Sequence, residues 1–237
     1  TSASTAVIVN ALPTATITAG GATTFCAGGS VNLASSAGST YLWSNGATTQ
    51  SITVTTAGSY SVTVTNASGC SATSAATTVT VNALPTATIT AGSATTFCSG
   101  GSVTLTSSAG SSYSWSNGAT TQSITVTTAG SYSVTVTNAS GCSATSAATA
   151  VIVNALPTAT ITAGGATTFC AGGSVTLTSS AGSSYLWSTG ATTQSITVTT
   201  AGSYSVTVTN ASGCSATSAV TAVIVNALST ATISTGG

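Results

Sequence analysis

The sequence predicts an all-β protein, a tandem array of small sandwiches, and three observations carry that reading. The 237-residue chain repeats itself: Cys26, Cys98 and Cys170 are spaced by 72, as are Trp43, Trp115 and Trp187, and Cys70, Cys142 and Cys214. Apolar residues alternate with Ser and Thr at the period of a half-buried strand. No segment pairs a 3.6-residue period with helix-forming residues, so helix content should be very low. The expected organisation is a first repeat over residues 13–84, a second over 85–156 and a third over 157–228. Residues 1–12 match the tail of a repeat and are expected to be its last strand, and residues 229–237 match the head of one and are expected to be its first. The chain thus reads as a slice of a longer array.

Within the first repeat the elements follow in order. Ala15, Ile17 and Ala19 mark a strand after Pro13. Val31 and Leu33 mark a second, after the Gly28–Gly29 turn. Tyr41 and Trp43 mark a third, closed by Asn45–Gly46, a strong hairpin signal. Ile52 and Val54 form a fourth. Tyr60, Val62 and Val64 form a fifth after Ala57–Gly58, and Val79 and Val81 a sixth after the turn at Asn66–Gly69. The intervening Thr residues are β-branched and suit a pleated, solvent-facing surface.

A Trp on the third strand and a Gly-x-Tyr before the late strand describe an immunoglobulin-like sandwich, with Gly58–Ser59–Tyr60 at the place of a tyrosine corner. Trp43, Trp115, Trp187, Tyr60, Tyr132 and Tyr204 are the expected core aromatics. Val62 stands where an antibody domain carries its second core cysteine, so that central disulfide is not expected. The junction Asn82–Ala83–Leu84–Pro85 is short and stiffened by proline. Consecutive sandwiches should therefore stack end to end as a rod.

Composition excludes more functions than any motif supports. The chain has no Lys, Arg, Asp, Glu or His. Acid–base catalysis near neutral pH draws mainly on those types, so an enzyme is not expected. Zinc, calcium and magnesium sites need imidazole, carboxylate or clustered thiolate ligands, and no C-x-x-C spacing occurs; neither a metal nor a cofactor is expected. Nucleic acid is excluded as a partner because nothing can displace its counterions. No apolar run is long enough for a membrane helix. A chain without charge tends to associate, and its edge strands carry no Lys to discourage pairing. The expected partner is therefore the protein itself, end to end or side by side, with surface polysaccharide as a second candidate.

The string TYLWSNGATTQSITVTTAGSYSVTVTNASGC (Thr40–Cys70), with FCAGGSV (Phe25–Val31) ahead of it, carries a resemblance. It resembles the repeated immunoglobulin-like or PKD-like modules of large cell-surface proteins of Bacteroidota, including gliding-motility adhesins. The resemblance covers essentially the whole chain. It implies export to the cell surface and a role as stalk or adhesin. Related modules often carry Asp in the turn before the second Cys, where this chain has Asn66, so the calcium dependence of PKD-like relatives does not transfer.

Two cysteines per repeat in an extracellular-type chain point to disulfides. Two pairings stand open. Within repeats the bonds would be Cys26–Cys70, Cys98–Cys142 and Cys170–Cys214. In an immunoglobulin topology, however, Cys26 and Cys70 fall in connections at opposite ends of a sandwich, roughly 20 Å apart, whereas a disulfide needs Cα atoms within about 7 Å. Across junctions the bonds would be Cys26–Cys142 and Cys98–Cys214, leaving Cys70 and Cys170 for further neighbours. The Asn-x-Ser sequons at Asn66, Asn138 and Asn210 read as turn residues. The function expected is a structural array of an extracellular filament or stalk, stiffened by short junctions and disulfides. The alternative is a multivalent adhesin for polysaccharide or surfaces.

Overall fold

The alternation of apolar and hydroxyl residues becomes strand wherever a neighbour completes the ladder. The computed structural model describes residues 2–231 and 233, and among them no helix occurs. The first repeat forms β1 (Ile17–Ala19), β2 (Thr24–Cys26), β3 (Val31–Ser35), β4 (Thr40–Trp43), β5 (Ser51–Val54), β6 (Gly58–Tyr60), β7 (Val62–Thr65), β8 (Ser71–Thr73) and β9 (Thr77–Asn82). Strands at the same spacing recur in the second and third repeats.

One sheet runs β1-β3-β5, all antiparallel. The facing strands run β4-β7-β8 and β2-β9-β6. These two groups continue one another: only Ser61 separates β6 from β7, and the Val62 amide donates to Ser74 Oγ (3.1 Å) while the Ser74 amide donates to the Val62 carbonyl (2.9 Å). The expected single strand over Tyr60–Val64 is thus interrupted at Ser61. The interruption is bridged by Ser44, whose amide donates to the Ser61 carbonyl (2.8 Å) and whose Oγ accepts the Ser61 amide (3.2 Å). Two elements had no apolar alternation to announce them, β2 and β8. Each is only three residues long and is held by backbone pairing to a longer strand.

Val31, Leu33, Ile52 and Val54 from the first sheet meet Trp43, Tyr60, Val62, Val64 and Val79 from the second in one core. The third repeat builds the same core from Val175, Leu177, Trp187, Val198, Tyr204, Val206, Val208 and Val223. Trp115 and Tyr132 of the second repeat are buried as well. The polar ends of the aromatics are satisfied. Trp43 Nε1 donates to the Thr49 carbonyl (2.8 Å), and Tyr60 Oη bonds both the carbonyl (3.1 Å) and the hydroxyl (2.9 Å) of Thr56. That is the corner geometry expected of Gly58–Ser59–Tyr60.

The chain divides into two compact units, and the division falls inside the second repeat. One unit comprises Thr1–Thr90, Thr106–Gln122 and Ser133–Ala148. The other comprises Ala91–Leu105, Ser123–Tyr132 and Thr149–Gly237. The first unit holds the first repeat with the sheet formed by Ser112–Trp115, Val134–Thr137 and Ser143–Thr145; the second holds Thr96–Cys98, Gly130–Tyr132 and Thr149–Asn154 with the third repeat. Repeats counted along the sequence are therefore not the units of contact.

Residues 1–12 correct the expectation of a strand: 2–12 are in none. Val7 is 86% exposed, whereas Val79, Val151 and Val223 at the matching positions are 1–3% exposed. The sequence Thr5–Asn10 (TAVIVN) is repeated without change at Thr149–Asn154 and Thr221–Asn226, which do form strands. Those copies lie between the strands equivalent to β2 and β6, whereas residues 5–10 pair with no strand. The strand expected over 229–237 falls largely outside the described residues; 229–231 and 233 are not in a strand.

Close packing predicts one sensitive glycine in each repeat, Gly38, Gly110 and Gly182. A methyl group at Gly38 would overlap Val64 Cγ1, a core atom, whereas one at Gly21 meets nothing within 4 Å. Gly38→Ala should lower the unfolding free energy by roughly 1–3 kcal/mol in urea melts, as overpacked sites do. Gly21→Ala should leave it unchanged within about 0.5 kcal/mol.

Candidate functional site

The distinctive chemistry lies where one repeat passes to the next. Two short elements build that place. The first is β2, which pairs parallel with the end of β9, setting Thr24 opposite Thr80, Phe25 opposite Val81 and Cys26 opposite Asn82. The Thr80 amide donates to the Thr23 carbonyl and the Ala27 amide to the Asn82 carbonyl, both at 2.8 Å. Beyond Cys26 the chain turns back at once. Gly28 has φ of +91°, a conformation open to glycine, and the Gly29 amide returns to the Cys26 carbonyl (2.9 Å).

The second element is the turn Asn138–Cys142. Asn138 Oδ1 accepts the amides of Ser140 and Cys142, each at 3.0 Å, and the Asn138 amide donates to the Cys142 carbonyl (2.9 Å). This is an Asx-type turn, in which a short polar side chain replaces a backbone partner. The other end of the same side chain reaches the junction: Asn138 Nδ2 donates to the Ala83 carbonyl (2.8 Å).

Between these elements the two cysteines meet. Cys26 is bonded to Cys142, with Cα atoms 5.6 Å apart. The second junction repeats the arrangement. Cys98 is bonded to Cys214 at the same 5.6 Å, the Ser99 amide donates to the Asn154 carbonyl (2.8 Å), and Asn210 Nδ2 donates to the Ala155 carbonyl (2.9 Å). Cys142 and Cys214 are fully buried in these junctions. Of the two pairings the sequence left open, the structure contains the one across junctions, and Cys26–Cys70, Cys98–Cys142 and Cys170–Cys214 are not formed. The reason is strand direction. Cys26 lies beside Asn82 at the end of β9, while Cys70 immediately precedes β8. Two strands, Ser71–Thr73 and Thr77–Asn82, lead from one place to the other, and their nine residues alone span roughly 30 Å at about 3.3 Å each.

Cys70 and Cys170 are unbonded, Cys70 half-buried and Cys170 exposed. Each sits in half of the same arrangement. Asn66 Nδ2 donates to the Ala11 carbonyl (2.8 Å), and Cys70 Sγ lies 3.9 Å from the Asn10 carbonyl. Cys170 lies opposite Asn226, whose carbonyl accepts the Ala171 amide (2.8 Å). The Asn66, Asn138 and Asn210 side chains are the contributors that sequence reasoning missed. It saw them as turn formers and not as donors to the preceding chain. Their fixed place four residues before Cys, together with the recurring Asn-Ala at each repeat end, was the available signal.

Among the described residues no group of three or more His, Cys, Asp or Glu side chains could hold a metal ion. A shallow depression of about 460 Å³ in the third repeat is lined by Thr193, Ser195, Thr197 and Tyr204 with apolar neighbours, and offers hydroxyls but no charge.

No protein-family model matches the chain, and no curated protein matches it. Solved structures with a partly similar trace include three multi-domain fragments. The D1-D4 ectodomain fragment of ICAM-5 is 14% identical, with 89% of this chain and 76% of that chain covered and a TM-score of 0.46. The four N-terminal Ig domains of Dscam1 isoform 6.9 are 14% identical over 93% of this chain and 74% of that one, with a TM-score of 0.25. The fibronectin(III)-like modules of Clostridium thermocellum CbhA are 14% identical over 59% and 94%, with a TM-score of 0.30. The chain's own two-sheet strand order, buried Trp and tyrosine corner make its architecture an array of immunoglobulin-like repeats.

Two outcomes follow from the junction. Chymotryptic mapping without reductant, used because the chain offers trypsin no Lys or Arg, should yield linked peptides containing Cys26 with Cys142 and Cys98 with Cys214; a Cys26–Cys70 peptide would contradict the assignment. Asn138→Asp keeps both acceptor bonds inside the turn but loses the donor to Ala83. It should speed reduction of Cys26–Cys142 by dithiothreitol, followed by thiol labelling. Asn138→Ala should do the same and also destabilise the fold by about 1–3 kcal/mol.

Proposed function

We propose that the chain is a structural stretch of an extracellular surface filament or stalk and performs no reaction. The observation that carries this reading is the junction: two successive crossings use the same disulfide, the same Asn-to-carbonyl bond and the same parallel strand end. A binding module invests its distinct residues in exposed loops. Here the repeats are near-copies throughout, loops as well as joints, so no loop is set apart for a ligand. Disulfides persist in oxidising surroundings, which supports a location outside the cell. The resemblance to repeated surface modules of Bacteroidota supports a cell-surface stalk in particular. The partners of the chain are further repeats of its own kind. Cys70 and Cys170, each in half of a junction, are the points at which neighbours attach.

Antibody labelling and electron microscopy of cells carrying the protein should reveal surface fibres decorated along their length. Strong binding of one repeat to a defined glycan on an array would instead favour adhesion. Because the chain carries no charged side chain, fibre integrity should stay constant between about pH 4 and 8 and between low and high salt. There are no surface ion pairs to screen or neutralise. Fibre loss within that range in the absence of reductant would contradict the reading.

A further inference from the structure

The two disulfides are interleaved, and this has a mechanical consequence. Cys98 lies between Cys26 and Cys142 in the sequence, and Cys142 lies between Cys98 and Cys214. Each bond closes a separation of 116 residues, and the two closed loops overlap. The shortest covalent route from Cys26 to Cys214 is therefore not the forward chain. It crosses from Cys26 to Cys142, runs backward along the chain to Cys98, and crosses again to Cys214.

From the pairing we infer that the bonds act jointly as an extension limiter, transmitting tension through a reversed segment of the second repeat. The inference rests on the load-bearing role proposed above. The backward segment is 44 residues (142 less 98), whereas the forward chain from Cys26 to Cys214 is 188 residues (214 less 26). At about 3.5 Å per residue these contours are roughly 150 Å and 650 Å. Even with every hydrogen bond broken, the oxidised chain can lengthen only to the shorter limit.

The route also decides which residues bear load. Segments 27–97, 98–142 and 143–213 all join the same two crossings side by side, and the middle one is the shortest, so it becomes taut while the other two are still slack. At full extension the load falls on residues 98–142. They include the buried residues Val103, Leu105, Trp115, Val134 and Val136. A limiter of this kind fails only by breaking covalent bonds or by reduction.

Single-molecule stretching of the whole chain, held by its two ends, tests the inference. The Cys26-to-Cys214 portion should reach a contour of about 150 Å when oxidised and about 650 Å in dithiothreitol, a roughly fourfold gain. Removing one bond with Cys26→Ser and Cys142→Ser together leaves the route Cys26 to Cys98 and across to Cys214. That is 72 residues (98 less 26), or about 250 Å. Contour depends on covalent bonds alone, so the measurement is read on molecules in which peptide mapping finds Cys98 joined to Cys214. Equal contours with and without reductant, or no intermediate value for the double substitution, would overturn the inference. Because the readout is made on isolated molecules, a failure here is distinct from a failure to find fibres on cells.

Discussion

The parallel pairing of Thr24–Cys26 with the end of β9 is the constraint on which the junction depends. Three residues cross from the first strand to the far end of the sandwich, and they carry Cys26 to the point where the chain leaves the repeat. Without that crossing, Cys26 would have no route to a neighbour. With it, the exit strand is gripped on one side by the Ala27 amide and on the other by the Asn138 side chain of the next turn. The disulfide then closes a gap that hydrogen bonds have already set. Closing a separation of 116 residues stabilises the folded chain by about 4–5 kcal/mol in the chain-entropy account.

Absence of charge places a burden on hydroxyl groups, and they carry it by pairing across strands. Thr63 and Thr73 hydroxyls meet at 2.9 Å, as do those of Thr65 and Ser71, and the third repeat repeats both pairs. Such cross-strand Thr and Ser pairs contribute a few tenths of a kcal/mol to about 1 kcal/mol each. They do so without long flexible side chains or sensitivity to salt. The outer face is thus stabilised by contacts that pH cannot alter, while the inner face is filled by Val, Leu, Ile and Trp. The same neutrality leaves strand edges without electrostatic protection, which suits the proposed assembly with further copies of itself.

Much of this was legible in the sequence, because burial imposes period two and burial is where the apolar residues lie. Val31–Leu33, Ile52–Val54 and Val62–Val64 gave away their strands, and Gly58-Ser59-Tyr60 gave away the corner. What the sequence hid was settled by backbone partners. β2 contains Thr, Phe and Cys, with no alternation to mark it, and exists because β9 offers it a free edge. Thr5–Asn10 shows the converse: a sequence that is strand in two repeats is not strand where no ladder pairs it. The pairing of cysteines belongs to the same class. It depends on which end of a strand a residue occupies, and strand direction in β2 is not written in side-chain chemistry.

The interleaving acquires its full effect when the same rule is carried along a longer run of identical repeats. From Cys142 the forward chain reaches Cys170 in 28 residues (170 less 142), and Cys170 occupies the bonding position of Cys26 two repeats on. If Cys170 bonds forward as Cys26 does, the covalent route advances two repeats for each 28 residues of chain, about 100 Å fully extended. The forward chain would supply 144 residues, twice the repeat of 72, over the same advance. Staggered partners of Cys98 would build a second route of the same kind beside the first. Two parallel covalent routes would then share the load, and each sandwich would contribute stiffness and shape while most of its chain stayed out of the path of tension. Bonds within repeats would not give this result, since every junction would then hang on a single strand of polypeptide.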